Sequence, residues 1–341
     1  MNKLYIYCIV NNMATNVELK IIKKEEFEDL MNLMNFSFGF EKEEDKFEHI
    51  LPKYYYKDND NMVHLGLYDK DVLISSIGIY PLEFIRKDRN LKAAMIGAVS
   101  THPDHRGKGY FSLLMEAVMK YCNDKYDILC LTGKRERYNR YDFEYSGLSV
   151  NFKIDKNGEK HCKSPLFIKE LHENDHELIN QCLALYNSSF QRVYRTKEGF
   201  YKVVLSWNNV PYVVLKENKV VAYFSLKENS LLSEFKYDIS HLEEIISLLR
   251  ATYGDLAILG NYDDINKGLD KFVDGFEYTY NVMYRINNYP KVIEFLEFSE
   301  FDKDIFDSLN SLDKVRYVMG KHEEQERDLN TKIFVHNCDQ G

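Results

Sequence analysis

The 341-residue sequence predicts a mixed α/β fold, α+β in character with mixed sheets, laid down twice along one chain. Three observations lead there. The stretch from Met95 to Cys122, MIGAVSTHPDHRGKGYFSLLMEAVMKYC, reads as a strand, a glycine-rich turn and a helix. Two pairs of alternating apolar runs meet at short charged turns, Asp69-Lys70-Asp71 and Glu217-Asn218-Lys219, as hairpins do. The order of elements before a Ser164-Pro165 break then recurs after it, the sign of a duplicated unit.

Each element of the first copy has a local cause. VELKIIKK, from Val17, reads as a strand, and EEFEDLMNLMNFSFGF places Phe27, Leu30, Met31, Met34 and Phe38 on one helical face. Phe36, Phe38 and Phe40 then run into a charged stretch from Glu41 to Lys46. MVHLGLYDKDVLISSIGIYPLEFIRK forms the first hairpin. Ile96 to Thr101 is a small, apolar strand that stops at His102-Pro103-Asp104, because Pro103 has no N–H for a ladder. Beyond Arg106-Gly107-Lys108-Gly109, residues Tyr110, Phe111, Leu114, Ala117, Val118 and Tyr121 keep the spacing of a half-buried helix. DILCLTG is a second apolar strand ending at Gly133. A basic helix start (Lys134, Arg135, Arg137) and the run from Tyr138 to Gly147, YNRYDFEYSG, follow it.

The second copy repeats this with LFIKEL as strand, HELINQCLALYNSSF as helix, and PYVVLKENKVVAYFSLKE as hairpin. SHLEEIISLLRATYG is the helix, DLAILGNY the strand and LDKFVDGFEYTYNVMYRI the closing segment. Asp274-Gly275-Phe276-Glu277-Tyr278 mirrors Asp142-Phe143-Glu144-Tyr145, yet no RxxGxG precedes the helix over 241–253. The expected organisation is an N-terminal extension over 1–16, a catalytic domain over 17–160, a degenerate copy over 163–290, and a charged, helix-prone segment over 291–341.

Composition excludes several classes. With 45% hydrophobic and 29% charged residues the chain is of ordinary globular type. The run from Leu4 to Val10 is too short to span a bilayer and lacks a cleavage site, so the expectation is a cytoplasmic protein without membrane partner. The net charge of −9 argues against nucleic acid as partner and suits a cationic small substrate. The cysteines (Cys8, Cys122, Cys130, Cys162, Cys182, Cys338) have neither CxxC nor histidine neighbours at metal spacing, which predicts no metal site. With 26 tyrosines present, any catalytic role for one of them competes with plain core packing.

The chemistry concentrates at 106–111. Two glycines let a backbone approach a ligand closely, a helix N-terminus adds partial positive charge, and Arg106 and Lys108 add full charges. The expected guest is a phosphate or pyrophosphate. The nucleotide P-loop needs Ser or Thr after its Gly-Lys pair, and the dinucleotide fingerprint needs a third glycine where Ser112 stands. The pattern that fits is R/Q-x-x-G-x-G/A after a strand ending in V-x-x-x-P, with Arg106 and Gly109 in place and Phe111 replacing the usual small residue. It resembles motif A of the GNAT acyltransferases. The bulky Phe111 is similar to the enhanced-intracellular-survival (Eis-like) branch, as are the tandem copies. The run from Tyr138 resembles that branch's YxRFGF signature, with Asp142 where glycine is usual; Asp tolerates positive φ at some cost.

The resemblance implies an acetyl-CoA-dependent N-acetyltransferase acting on a primary amine, in a small cationic molecule or a lysine side chain. Acyl transfer must hold a thioester, polarise its carbonyl, deprotonate the amine and protonate the thiolate. No covalent enzyme intermediate is required, so Cys122 and Cys130 need not be nucleophiles. By resemblance, Arg106, Gly107, Lys108, Gly109, Tyr110 and Phe111 hold the pyrophosphate of acetyl-CoA. Val99, Ser100 and Thr101 pair with its pantetheine arm, and Gly133 joins the cofactor-binding set. Phe36 and Phe38 border the acceptor site. Tyr138 takes the place of the residue that protonates the leaving sulfur, with Tyr141 as local competitor. The free carboxylate of Gly341 is the family's analogue of a general base, although the family's third domain is shortened or missing here, and a water chain could serve instead. His102 and His105 are alternative bases. Arg135 and Arg137 either reach the adenosine phosphates or form a solvated helix start. Eis-like proteins often form homo-oligomers. A non-catalytic acyl-CoA-binding or sensing module is the second reading, and an aminoacyl-tRNA-dependent peptidyl transferase a third.

Overall fold

The computed structural model describes residues 17–56, 59, 62–158 and 165–320. The expected extension, the expected boundary at 160–163, and Gly341 all lie outside the described residues. In chain order the first half runs β1 (Val17–Ile21), α1 (Phe27–Phe38), α2 (Phe47–Ile50), β2 (Val63–Asp69), β3 (Val72–Arg86) and β4 (Arg89–Thr101). It continues with α3 (Tyr110–Cys122), β5 (Ile128–Leu131), α4 (Arg135–Tyr138), β6 (Glu144–Tyr145) and β7 (Ser149–Ile154). The second half begins β8 (Phe167–Glu170), α5 (His176–Asn187), β9 (Gln191–Val193), α6 (Lys197–Leu205), β10 (Val210–Lys216), β11 (Lys219–Lys227) and β12 (Leu231–Tyr237). Then come α7 (Leu242–Tyr253), β13 (Leu256–Gly260), α8 (Tyr262–Asn266), β14 (Gly275–Thr279) and β15 (Met283–Ile286), and the chain proceeds through α9 (Tyr289–Leu296), α10 (Lys303–Ser308) and α11 (Ser311–Met319).

Both predicted hairpins form through two-residue turns with left-handed backbone. Lys70 and Asp71 have φ 49° and 68°, and Glu217 and Asn218 have φ 48° and 66°, the geometry whose twist matches flanking strands. The strand expected over Ile96–Thr101 is longer, because a third hairpin joins β3 to β4 in register from Arg86–Arg89 upward.

Two mixed sheets result. The first has the order β1-β2-β3-β4-β5-β15-β6, with β9 on β3; the second has the order β14-β7-β13-β12-β11-β10-β8. The sheets do not sort by sequence half. β7 leaves the first half and pairs with β13 and β14, while β15 returns from the second and inserts between β5 and β6. The segment read as one closing element over 269–286 is thereby split between the sheets. The apolar strands β5 and β13 each need neighbours on both edges, and in each case the second neighbour comes from the other half.

Helices cover both faces. One face of the first sheet is packed by α1, α2, α9 and α11 around Met34, Tyr80, Phe295 and Met319; the other is packed by α3 through Leu114, Met115 and Val118. Burying each such side chain is worth about 1.5–3 kcal/mol. On the second sheet α7 covers one face, through Ile245 and Leu249, and α5 with α6 the other, through Cys182 and Val204. The helix-prone tail predicted from 291 onward thus completes the first half's core up to Met319.

Candidate active site

Strands β4 and β5 run parallel only from Ala93–Ile128 to Met95–Cys130, and then part. The parting coincides with a bulge: Gly97 faces Gly78 and Ser100 faces Ser76, so Ala98 and Val99 together oppose Ile77. Ala98 carries the bend at φ 46°, a conformation that costs a residue with a Cβ about 1–2 kcal/mol. β4 therefore turns its end away from β5 and opens a cleft.

The loop after β4 closes that cleft. Pro103 starts a short 3-10 turn, Pro103–His105, and His102 Nδ1 accepts from the Asp104 N–H at 3.4 Å. Gly107 and Gly109 then take φ 76° and 79°. A Cβ built on either would meet nothing within 4 Å, so these glycines provide the left-handed turn and leave its concave side open. The backbone N–H groups from Gly107 to Phe111 have no acceptor among the described residues, and Gly109 caps α3 without a side-chain bond. α3 is anchored by its buried face, so its N-terminus stays aimed at the opening.

The cleft has a volume of about 800 Å³, the size of a cofactor pocket. Val99 and Thr101 form its β4 wall, the 105–111 loop its floor, Ser37 and Phe38 one rim, and Glu136, Arg137 and Arg140 the other. Arg106, Lys108, Arg137 and Arg140 put four cations around it, none of them ion-paired among the described residues. Arg140 is held in place by bonds to Ser112 Oγ (2.7 Å) and Tyr141 Oη (2.8 Å), and lies over the Phe111 and Tyr141 rings.

Several expected residues stand apart from the cleft wall. Ser100 is buried, its hydroxyl donating to Ala98 O, so only its neighbours Val99 and Thr101 line the opening. Gly133, at φ 145°, has the Tyr138 ring where a Cβ would be, 2.8 Å away. Tyr138 itself is 8% exposed and packs edge-on against Phe111 (5.7 Å) and Phe143 (6.4 Å), outside the cleft lining. Burial pushes its pKa up, with the Arg137 charge opposing only in part. Phe38 lines the cleft, whereas the largely exposed Phe36 leans on the His102 ring, 5.1 Å between centroids. His105 also lines it, with Nδ1 buried and unpartnered.

Of the two arginines grouped at the α4 start, only Arg137 faces the cleft. Arg135 turns away to the fully buried Glu144, which also binds Arg316 of α11 at 2.7 Å. Burial alone would raise the Glu144 pKa, but the Arg135 hydrogen bonds and both arginine charges outweigh it and hold the carboxyl low. Asp142 takes the left-handed turn at φ 63° that its place in the signature demanded, and its carboxylate accepts from Ser311 Oγ at 2.6 Å. Arg140, Glu136 and Ser37 were not singled out in the sequence. Arg140 stood within the quoted YNRYDFEYSG run, three residues after Arg137, and that helical spacing was the available signal.

The second half has no such loop among its described residues. β12 and β13 also part after two parallel pairs, Leu231–Ala257 and Leu232–Ile258. Here, however, the turn into α7 carries Asp238, whose carboxylate already accepts from Ser240 N–H and Oγ. Buried Asp264 accepts from the Tyr237 hydroxyl and the Asn261 N–H, so a carboxylate stands after β13.

A mixed sheet with parted central strands thus ends in a loop of unpaired N–H groups and cations, an arrangement suited to a phosphate-bearing ligand. Residues 18–146 match the family described as acetyltransferase (GNAT) domain. No curated protein matches the sequence. Among solved structures, a probable N-acyltransferase of unknown function from Enterococcus faecalis is similar at 16% identity and TM-score 0.66, covering 82% of this chain and 75% of that one. Eis1 from Mycobacterium abscessus is similar at 11% identity and TM-score 0.59, over 82% and 76%. A GCN5-related N-acetyltransferase from Kribbella flavida is similar at 14% and 0.58, over 81% and 73%. These likenesses show a shared fold.

Proposed function

We propose that the protein is an acetyl-CoA-dependent N-acetyltransferase of Eis-like type, with a catalytic first half (17–160), a degenerate second half (163–290) and a further segment over 291–341. The observation that carries this is the loop from Gly107 to Phe111, with its unpaired N–H groups among four unpaired cations. That donor set fits a pyrophosphate and an adenosine phosphate. Arg106, Lys108 and the loop N–H groups hold the pyrophosphate; Arg137 and Arg140 are placed for the remaining phosphate. The exposed end of β4, Val99 to Thr101, offers backbone groups to an amide-bearing arm. The cosubstrate supplies an activated acetyl carbon.

The acceptor amine attacks directly in a ternary complex, entering past Phe38. Beyond that residue Glu41 and Glu44 are exposed carboxylates, which favours a cationic acceptor. Tyr138 is the proton donor to the leaving sulfur: its raised pKa keeps the hydroxyl protonated at neutral pH, and that hydroxyl has no partner among the described residues. The amine's proton leaves to water. No helix among the described residues is long and apolar enough to cross a membrane, and our reading puts the reaction in the cytoplasm.

Calorimetry with acetyl-CoA, comparing wild type with Arg106→Ala/Lys108→Ala, tests this together with thiol release over a panel of polyamines, aminoglycosides and lysine peptides. Binding lost in the variant, with thiol release on some amine, supports the enzyme; no binding overturns it. The burial of Tyr138 outside the cleft lining favours the second reading, an acyl-CoA-binding sensor, for which binding without turnover is the expected result.

A further inference from the structure

Arg106 makes contacts that a phosphate ligand does not need. Its Nε donates to Thr101 O at 3.2 Å, and a terminal nitrogen donates to Ser37 O at 3.0 Å. Thr101 ends β4, beside the loop itself. Ser37 lies in the last turn of α1, 69 positions away in sequence. The final carbonyls of a helix have no partner within it and carry the negative end of its dipole. Gly39, at φ 72°, closes α1 with its N–H on Asn35 O and Phe36 O, and Ser37 O is left to Arg106.

A second contact joins the same two segments. The Phe36 ring leans on His102, which caps the 3-10 turn leading into the loop. The end of α1 is thus tied to the β4–α3 loop at Phe36 and at Ser37, next to Phe38; Ser37 and Phe38 form the cleft rim. These two bonds use two of the five guanidinium N–H groups. No carboxylate among the described residues takes the rest, and Arg106 itself lines the cleft.

We propose that Arg106 is a positioning residue that couples donor binding to the acceptor rim. A phosphate seated on the loop engages the remaining N–H groups, immobilises the guanidinium, and through Ser37 O fixes Phe36 to Phe38. The rim is then shaped for an acceptor only when the donor is in place. This rests on the reading of the loop as a coenzyme A site. A lysine cannot replace the arginine here, because a single ammonium lacks the planar fork that spans two carbonyls and a phosphate.

The test is hydrogen exchange of the full chain with and without coenzyme A, followed in peptides covering 33–41 and 105–113. In wild type, coenzyme A slows exchange in both, with an effect of roughly 5-fold or more at 33–41 if the coupling is of ordinary strength. Lys108→Ala, at saturating coenzyme A, still protects both. Arg106→Lys, also at saturation, protects 105–113 but leaves 33–41 unchanged. Equal protection of 33–41 in Arg106→Lys and wild type overturns the coupling. So does wild-type protection confined to 105–113, which leaves the coenzyme A site standing. Absence of protection at both peptides, with no heat of binding, overturns the coenzyme A reading and the coupling with it.

Discussion

Removing the Glu144 carboxylate tests how the cleft wall is held. Glu144 is fully buried on β6, accepts a fork of hydrogen bonds from Arg135 of α4 and a single one from Arg316 of α11, and so joins the cationic wall to α11. Breaking a buried ion pair by deleting one partner costs about 3–5 kcal/mol. Here the arginines keep 34% and 29% of their side-chain surface, so water recovers part of their solvation and the lower end, about 3 kcal/mol, is expected for Glu144→Ala. Glu144→Gln retains volume and some bonds and should lose less.

The effect has a pH signature. The folded carboxyl is held below its usual pKa, so its stabilisation is full above the unfolded value of about 4.3 and disappears as pH falls through the lower folded value. Urea unfolding from pH 7 to pH 3 on wild type and both variants measures it. The variants should converge on wild type at the acid end. A constant difference across the range, or no loss in Glu144→Ala at pH 7, would refute the reasoning. Weaker acetyl-CoA binding should accompany the loss, because Arg137 and Arg140 follow α4.

Three further outcomes follow from the same contacts. Gly109→Ala meets open space but must keep φ 79°, so it should cost about 1–2 kcal/mol in stability or distort the loop, read by unfolding and by calorimetric acetyl-CoA affinity. His64 is buried against Tyr55 and Tyr80, neither ring nitrogen has a partner, and burial pushes its pKa down to about 3. The unfolded chain binds a proton there below about 6.5 and the fold does not, so stability falls with acid by about 1.4 kcal/mol per pH unit between those values. Wild type compared with His64→Gln by unfolding against pH checks this slope. Residues 17–160 expressed alone lack β15, and 163–290 lack β7; neither should unfold cooperatively by urea and circular dichroism, whereas co-expression should restore a soluble pair.

The left-handed glycine turn at 107–109, both two-residue hairpins and the left-handed turn at Asp142 were readable from the sequence. Each is set within a few residues by glycine freedom, the missing N–H of Pro103, or polar side chains that tolerate positive φ. The same local logic placed α3 and showed that the second copy has no glycine loop. Tertiary structure alone decided which sheet takes β7 and β15, because SVNFKI and MYRI are short apolar runs that would suit either sheet edge. It also sorted one basic run into different tasks: Arg135 went to a buried carboxylate, and Arg137 and Arg140 to the cleft. Charge and spacing in that run are nearly uniform. The outcome depends on Glu144 and Arg316, brought together across 172 positions of chain, and no local window of sequence contains that contact.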